Sequence, residues 1–403
     1  MDKKRIVFLI VFGVVTIILG YLLYRVFFAP RPPAVRPEEA APAVPGELPT
    51  AAETEAARRA AEAARELPRA LPSGRVAPTE ETAPRVTQLV ENAIGNPRLD
   101  PSGRVRFYND RDGKFYRMNA DGTTELLSDE RFFRVENVTW SPAKNEAVLE
   151  YPDGANIYYN FDAKQQVTLP KHWEDFSFSP LGDKIAAKSV ALAEENRWLV
   201  TADANGANIA LVEPLGANAD KVTVDWSPNK QVVAFSRTGA ALGAQREEIL
   251  LVGLRGENFK SLTVEGRGFQ SAWSPTGERL MYSVYSDRTD YKPELWIVNA
   301  EGDDIGTGRR QLAVNTWAEK CAFADERFVY CAVPNTLQRG AGFAPEVADS
   351  TPDTIYRIDT QTGLRTALET DEPHVVESMF VGADGRTLYF TDKRQDGLFQ
   401  VNL

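Results

Sequence analysis

Trp273-Ser274-Pro275-Thr276-Gly277 is the phrase on which the fold of this chain turns. Trp140-Ser141-Pro142 and Trp226-Ser227-Pro228 repeat its core, and Phe178-Ser179-Pro180-Leu181-Gly182 keeps its length with a different ring. Leu99-Asp100-Pro101-Ser102-Gly103, Phe323-Ala324-Asp325 and Val381-Gly382-Ala383-Asp384-Gly385 are degraded copies, which brings the total to seven. Successive copies lie 41, 38, 48, 47, 50 and 58 residues apart. A period in that range marks stacked sheet units, because one such unit cannot bury its apolar face alone.

Each copy is followed by the same order of events, clearest after Trp273. Arg279–Val284 is one β-rich run and Glu294–Asn299 the next; a turn at Glu301-Gly302 then leads to Arg310–Val314. The runs are short, rich in β-branched and aromatic residues, and bounded by Gly, Pro, Asp and Asn, as antiparallel strands are. Parallel pairing would need a helical crossover after each strand, and no run of suitable length and period separates them. The expectation is an all-β, seven-bladed β-propeller over residues 84–403. The rings Trp140, Phe178, Trp226, Trp273 and Phe323 are expected to serve as structural anchors between blades, with Pro and Gly shaping the turn that follows.

The last copy has room for only two strands after it, Thr387–Asp392 and Gly397–Leu403. Upstream, Arg85–Val90 matches the third-strand phrases Lys260–Val264 and Arg310–Val314. The N-terminal strand is therefore expected to complete the C-terminal blade, hiding two sheet edges that would otherwise invite aggregation.

Ahead of the propeller, Ile6–Tyr24 is 19 residues of almost unbroken apolar sequence. As a helix it would reach roughly 28 Å, close to a bilayer core of about 30 Å. Lys3, Lys4 and Arg5 precede it, which favours a cytoplasmic N-terminus and an extracytoplasmic propeller. A cleaved signal peptide is the competing reading, but its apolar core is shorter, and the best small residue here, Ala29, is followed by Pro30. The segments read as a cytoplasmic tail 1–5, a single transmembrane anchor 6–28, and an Ala/Pro/Glu-rich linker 29–83. Within the linker, 51–67 has helix-forming composition with Glu55 four residues before Arg59, and Pro68 would end it.

The formal net charge is -11, unevenly spread. Residues 1–83 carry 11 Lys/Arg and 10 Asp/Glu, which leaves 35 and 47, or a net of -12, for the remainder. An acidic propeller without a basic stripe is ill suited to nucleic acid, whose phosphates must be neutralised by Lys and Arg. A protein or peptide partner, of basic character, fits better. Cys321 and Cys331 are the only cysteines, and a hairpin about Glu326 would place them opposite each other. A disulfide suits an extracytoplasmic address, and two buried thiols are the alternative.

No reaction is spelled out. His172 and His374 are the only histidines and belong to no metalloprotease or triad pattern. The acidic turns Asn109–Gly113 and Ser286–Asp290 gather oxygen ligands but lack the twelve-residue calcium loop, and turn-making explains them as well. No glycine-rich phosphate loop precedes a helix, so no cofactor is expected. The long connections at 187–197, 239–248 and 335–354 are the best guess at a site, since propeller insertions gather on one face. They nominate Arg197, Arg246, Arg339 and Phe343 as a binding rim.

The Trp-Ser-Pro-x-Gly phrase, with the later acidic-Gly turn and Leu-Thr strand, resembles the WD-like repeats of TolB-like periplasmic propellers. It is also similar to the propeller of dipeptidyl-peptidase-type enzymes. The likeness covers roughly residues 84–403 and is clearest at Trp226–Pro228 and Trp273–Gly277. TolB-like proteins place a small α/β domain ahead of six blades, whereas seven copies and an anchor are read here. The peptidases carry a hydrolase domain after the propeller, for which no sequence follows before Leu403. The resemblance implies an extracytoplasmic bacterial protein that binds other proteins. It assigns no site residue. The expected function is an anchored interaction module or envelope-assembly scaffold; the alternative is an enzyme or a sensor of small ligands, glycans or peptides using the propeller channel.

Overall fold

Each anchor phrase closes a turn between the first two strands of a sheet. The amide of Ser179 donates to Lys184 O, that of Ser227 to Val232 O and that of Ser274 to Arg279 O, each at 2.9 Å. The serine hydroxyl then accepts the amide of the residue five further on: Lys184 at 3.1 Å, Val232 at 3.0 Å and Arg279 at 3.1 Å. Serine at this place thus pairs an amide that a tight turn would leave bare. The fourth residue after the ring has a left-handed backbone, φ 79° at Gly277 and 67° at Lys230, which explains why glycine recurs there.

The computed structural model describes residues 86–119, 122–240 and 242–403. The tail 1–5, the expected anchor 6–28 and the linker 29–83 with its helix 51–67 lie outside the described residues. No helix among the described residues is long and apolar enough to cross a membrane.

The strands, in chain order, begin with β1 (Thr87–Val90). Blade 1 is β2 (Ile94–Leu99), β3 (Val105–Asn109), β4 (Lys114–Met118) and β5 (Thr124–Leu126). Blade 2 is β6 (Asn137–Trp140), β7 (Glu146–Glu150), β8 (Asn156–Asn160) and β9 (Gln165–Leu169). Blade 3 is β10 (Trp173–Phe178), β11 (Lys184–Ser189), β12 (Trp198–Asp203) and β13 (Ala210–Pro214). Blade 4 is β14 (Val222–Val224), β15 (Val232–Ser236), β16 (Glu247–Gly253) and β17 (Leu262–Val264). Blade 5 is β18 (Arg267–Trp273), β19 (Arg279–Tyr285), β20 (Pro293–Asn299) and β21 (Arg310–Gln311). Blade 6 is β22 (Cys321–Phe323), β23 (Phe328–Pro334), β24 (Asp353–Asp359) and β25 (Arg365–Leu368). Blade 7 is β26 (Val376–Val381), β27 (Thr387–Asp392) and β28 (Leu398–Asn402), with β1 as its fourth strand. Every pairing is antiparallel and every sheet has four strands.

The expected closure is the one observed. Thr87 pairs with Gln400, Gln88 with Phe399 and, across a bulge, Val90 with Leu398. The backbone amide of Val86 donates to Asp371 Oδ1 at 3.0 Å and the Gln88 side-chain Nε2 to Asp396 O at 2.8 Å, so β1 is held by more than its ladder. The turns also meet around the ring: a side chain on Gly103 of blade 1 would sit 2.7 Å from Ala383 of blade 7.

The anchor rings pack backward onto the preceding blade. Trp273 stacks on Phe235 of blade 4 with centroids 5.3 Å apart, and Trp140 meets Phe115 of blade 1 edge-on at 5.5 Å. Phe178 joins Val148 and Tyr158 of blade 2, Trp226 joins Ala186 and Leu199 of blade 3, and Phe323 leans on the cluster holding Met281 and Leu295 of blade 5. Inter-blade packing of this kind is where the core of the molecule lies. Cys321 and Cys331 are directly opposed on β22 and β23, with Cα atoms 4.1 Å apart and the sulfurs joined in a disulfide. The sequence reading overextends three outer strands: β17 begins only at Leu262, β1 only at Thr87, and β21 stops at Gln311, because Ala313 takes a left-handed φ of 55° that ends the extended run.

Candidate functional site

The first strands of neighbouring blades touch one another, β2 with β6, β6 with β10, β10 with β14 and β22 with β26, so they form the inner ring. The residue before each anchor sits at one level of that ring: Arg98, Thr139, Ser177, Asp225, Ala272, Ala322 and Phe380. Bulges interrupt the pairing of β2 between Gly95 and Arg98, and of β10 between Glu174 and Ser177. Such bulges re-aim side chains. Left-handed Asn96 (φ 48°) offers its carbonyl to Trp140 Nε1 at 2.8 Å. Left-handed Asp175 (φ 58°) accepts the amide of Val224 at 2.9 Å, and Ser177 Oγ that of Trp226 at 3.0 Å. Blade 3 side chains thereby satisfy the open inner edge of blade 4.

The amide of Asp225 donates to Val233 O at 3.0 Å, but its carboxyl has no hydrogen-bond partner among the described residues. Burial, reinforced by the Asp175 carboxylate, pushes its carboxyl from 3.8 up to about 7. Nearer the opposite mouth, burial first, then the charges of Asp175, Glu136 and Glu174, raise Glu150, against the pull of its hydrogen bond from Asn137. On the side of blades 7, 1 and 2 a cavity of about 620 Å3 opens between inner strands, bordered by Arg98, Asn137, Thr139 and Phe380.

The three long connections all join the second and third strands of their blades, at 190–197, 237–246 and 335–352, and so emerge from one rim. The nominated residues behave differently there. Arg197 is spent on its own loop, donating to Ala191 O at 2.9 Å and to Leu192 O and Gly216 O at longer range. Arg246 is held 2.9 Å from Glu265, which Arg288 and Arg309 also face. Arg339 is 77% exposed, with Asp290 at 3.9 Å. Phe343 is 60% exposed and leans on Tyr285 and Tyr291, centroids at 4.6 and 5.0 Å.

The blade 6 insertion is tied on both sides. Gly340 N donates to Asp290 O at 2.8 Å and Gly342 N to Tyr291 O at 2.7 Å on blade 5, while Lys393 of blade 7 reaches Asp349 at 2.5 Å. Ser286–Asp290 is the landing for this insertion. In the other acidic turn, Asn109 Oδ1 accepts the Arg111 amide, and Asp112 accepts the Lys114 amide and the Tyr116 hydroxyl. Among the described residues no three His, Cys, Asp or Glu side chains are placed to share a metal ion.

The histidines part company. His172 is exposed and its carbonyl accepts the Val190 amide. His374 is buried, with Nδ1 3.0 Å from Asp392 Oδ2 and Phe390 and Phe399 against its ring at 5.0 and 5.2 Å. Asp392 also accepts the amides of Val375 and Arg394. Beside them a buried ion pair joins Lys320 Nζ to both oxygens of Asp353, at 2.8 and 2.7 Å, and Asp353 accepts the Val376 amide. This network locks blades 6 and 7 together. Asp392 borders a cavity of about 390 Å3 that Glu377 and Asp396 also line, while the His374 ring is packed against Phe390 and Phe399.

Reasoning from motifs missed Arg98, Arg106 and Asp225. Aligning the residue before each anchor would have found two of them, since one level of a ring then reads Arg, Thr, Ser, Asp, Ala, Ala, Phe. Arg106, on a second strand, gives no such signal.

Seven four-stranded antiparallel sheets, the last closed by the N-terminal strand, define a seven-bladed β-propeller. No protein-family model matches the chain, and no curated protein sequence matches it. Solved structures do. An oligogalacturonate lyase in complex with manganese is 13% identical over 79% of this chain and 93% of that one, with a TM-score of 0.55. The β-propeller domain of Cps50 (Swd1) from Myceliophteria thermophila is 11% identical over 79% and 99%, with a TM-score of 0.53. A chain of a mitotic checkpoint complex is 13% identical over 84% and 97%, with a TM-score of 0.51. Identities this low show the fold alone. A lyase and a chain of a checkpoint complex both have it, so it singles out neither TolB-like proteins nor the dipeptidyl-peptidase type.

Proposed function

We propose that the chain is a membrane-anchored, extracytoplasmic propeller that serves as a protein-interaction module or envelope-assembly scaffold. The observation that carries this reading is the blade 6 insertion, fixed to blades 5 and 7 yet leaving Phe343 and Arg339 largely exposed. An aromatic ring and an arginine on a fixed support are the residue types that dominate binding energy at interfaces. The apolar run 6–28 and the TolB-like character of the repeats support the address, and so does a disulfide at Cys321–Cys331, which needs an oxidising compartment. A protein or peptide presenting basic residues suits the arc of Glu136, Glu150 and Glu174, where burial first and then the neighbouring carboxylates raise Glu150.

The test is crosslinking of the full-length chain in its native membrane, with identification of what co-purifies. Partners retained by wild type and lost from Phe343→Asp and Arg339→Glu support the reading. Recovery of the same set with the segment 1–83 alone would overturn it. The second reading, a small-ligand function in the channel, is favoured by the cavity between blades 7, 1 and 2.

A further inference from the structure

Two arginines border the cavity of about 620 Å3 at the junction where the ring closes. Arg98 lies on β2 and is exposed although its strand is innermost, so the solvent it meets is channel water. Among the described residues its guanidinium has neither a hydrogen bond nor an ion pair, although its backbone pairs with Arg106 on β3. Surrounding protein desolvates its guanidinium and lowers its pKa.

Arg106 is fully buried. Its guanidinium lies 4.4 Å over Trp140 and donates to Ser141 O at 2.5 Å and Lys144 O at 2.9 Å, while its Nε has no partner. Burial, with repulsion from Arg117, brings it down to about 10 against the opposing pull of Asp100. Among the described residues Asp100 is the one carboxylate on the cavity wall. It is already engaged, 2.6 Å from Arg117 and accepting the Ser102 amide and hydroxyl.

The wall therefore carries more positive charge than its own carboxylate balances. Of the two arginines, Arg106 is the buried cation, costly to leave with its nearest carboxylate engaged elsewhere, and Arg98, open to solvent, is the one free to meet a ligand's charge. The remaining wall is of two kinds: neutral polar groups at Asn137 and Thr139, and an apolar side at Phe380. Arginine's planar fork matches a carboxylate with two parallel hydrogen bonds. We propose that this cavity binds a small organic carboxylate, its carboxyl group paired with Arg98 and its flat apolar body against Phe380.

This site is independent of the rim, so failure of the interaction reading leaves it standing. Benzoate serves as the probe, benzamide as its neutral counterpart and inorganic phosphate as an anion without an apolar body. Full-length protein in detergent, at constant ionic strength, is titrated by calorimetry and by thermal shift. Saturable binding of benzoate is expected, with none for benzamide. Arg98→Gln should weaken benzoate at least tenfold while the unliganded protein stays folded, since the Arg98 side chain makes no hydrogen bond or ion pair among the described residues. Arg98→Lys should recover part of the loss, and Thr139→Asp, which places a carboxylate on the same wall, should abolish binding. Equal shifts from benzoate and benzamide would overturn the proposal, as would unchanged benzoate affinity in Arg98→Gln. Saturable binding of phosphate alone would overturn the assignment of a carboxylate.

Discussion

Asp225 shows how a single position can bias the whole stability curve. Its carboxyl rises from 3.8 to about 7 in the folded chain, chiefly through burial. Between those values the folded state holds a proton that the unfolded state has released, so stability falls as pH rises through that window. Above it, folding keeps an ionised group where ionisation is unfavourable. Asp225→Asn removes the penalty; after discounting for channel water, the variant should gain about 1–2 kcal/mol over wild type at pH 8. At pH 4 the two should converge. Urea unfolding at both pH values decides it, and an equal effect at each would refute the assignment. The opposite sign is expected at Lys320, whose partner Asp353 is wholly buried. Lys320→Met strands that carboxylate and should cost about 3–5 kcal/mol, whereas replacing an exposed partner such as Lys171 should cost under about 1 kcal/mol.

At the scale of elements, β1 is the strand that makes the ring a ring. Its half-buried Leu89 and Val90, with Val86 beside the neighbouring cluster, cover the edge of β28. Removing residues up to Val90 should cost roughly 3 kcal/mol of apolar burial and leave β28 open to edge pairing. Aggregation should rise, and a peptide spanning 84–92 added in trans should restore the Tm by taking the vacant place. A truncated chain as stable as wild type would mean that β1 closes nothing. Blade number and this closure were legible in the sequence because both rest on local repetition. The Trp-Ser-Pro turn recurs with its ring, and Arg85–Val90 repeats the third-strand phrase where a blade was one strand short. The channel was not legible. Arg98 and Asp225 occupy equivalent places in two copies, but their chemistry depends on which walls face them, and Gly95 and Arg98 straddle a bulge that no residue announces. The rim was half legible: three insertions do share a face, yet Arg197 is consumed by carbonyls of its own loop, a bond that only the folded loop reveals.

At the scale of the whole molecule, charge is sorted rather than merely abundant. Residues 84–403 hold 35 Lys/Arg against 47 Asp/Glu. On the insertion-bearing face, Glu136, Glu150 and Glu174 gather on blades 2 and 3, whereas Arg246, Arg288 and Arg309 surround Glu265 between blades 4 and 5. Opposite charges on one face orient an incoming partner before any contact is made. A basic ligand should therefore settle on one arc of the ring instead of spreading over an acidic surface. A fluorescent lysine-rich peptide should bind the full-length protein, lose most of its affinity in Glu150→Gln combined with Glu174→Gln, and be unaffected by Arg339→Gln. Screening offers a second check, since the Debye length shrinks from about 10 Å at 0.1 M salt to about 3 Å at 1 M. Affinity should fall roughly tenfold or more across that range, about 1.4 kcal/mol, if these glutamates carry the contact. Binding that ignores salt, or that follows the arginine variant, would show that apolar contacts at Phe343 outweigh the field and that net acidity has no part in choosing the partner.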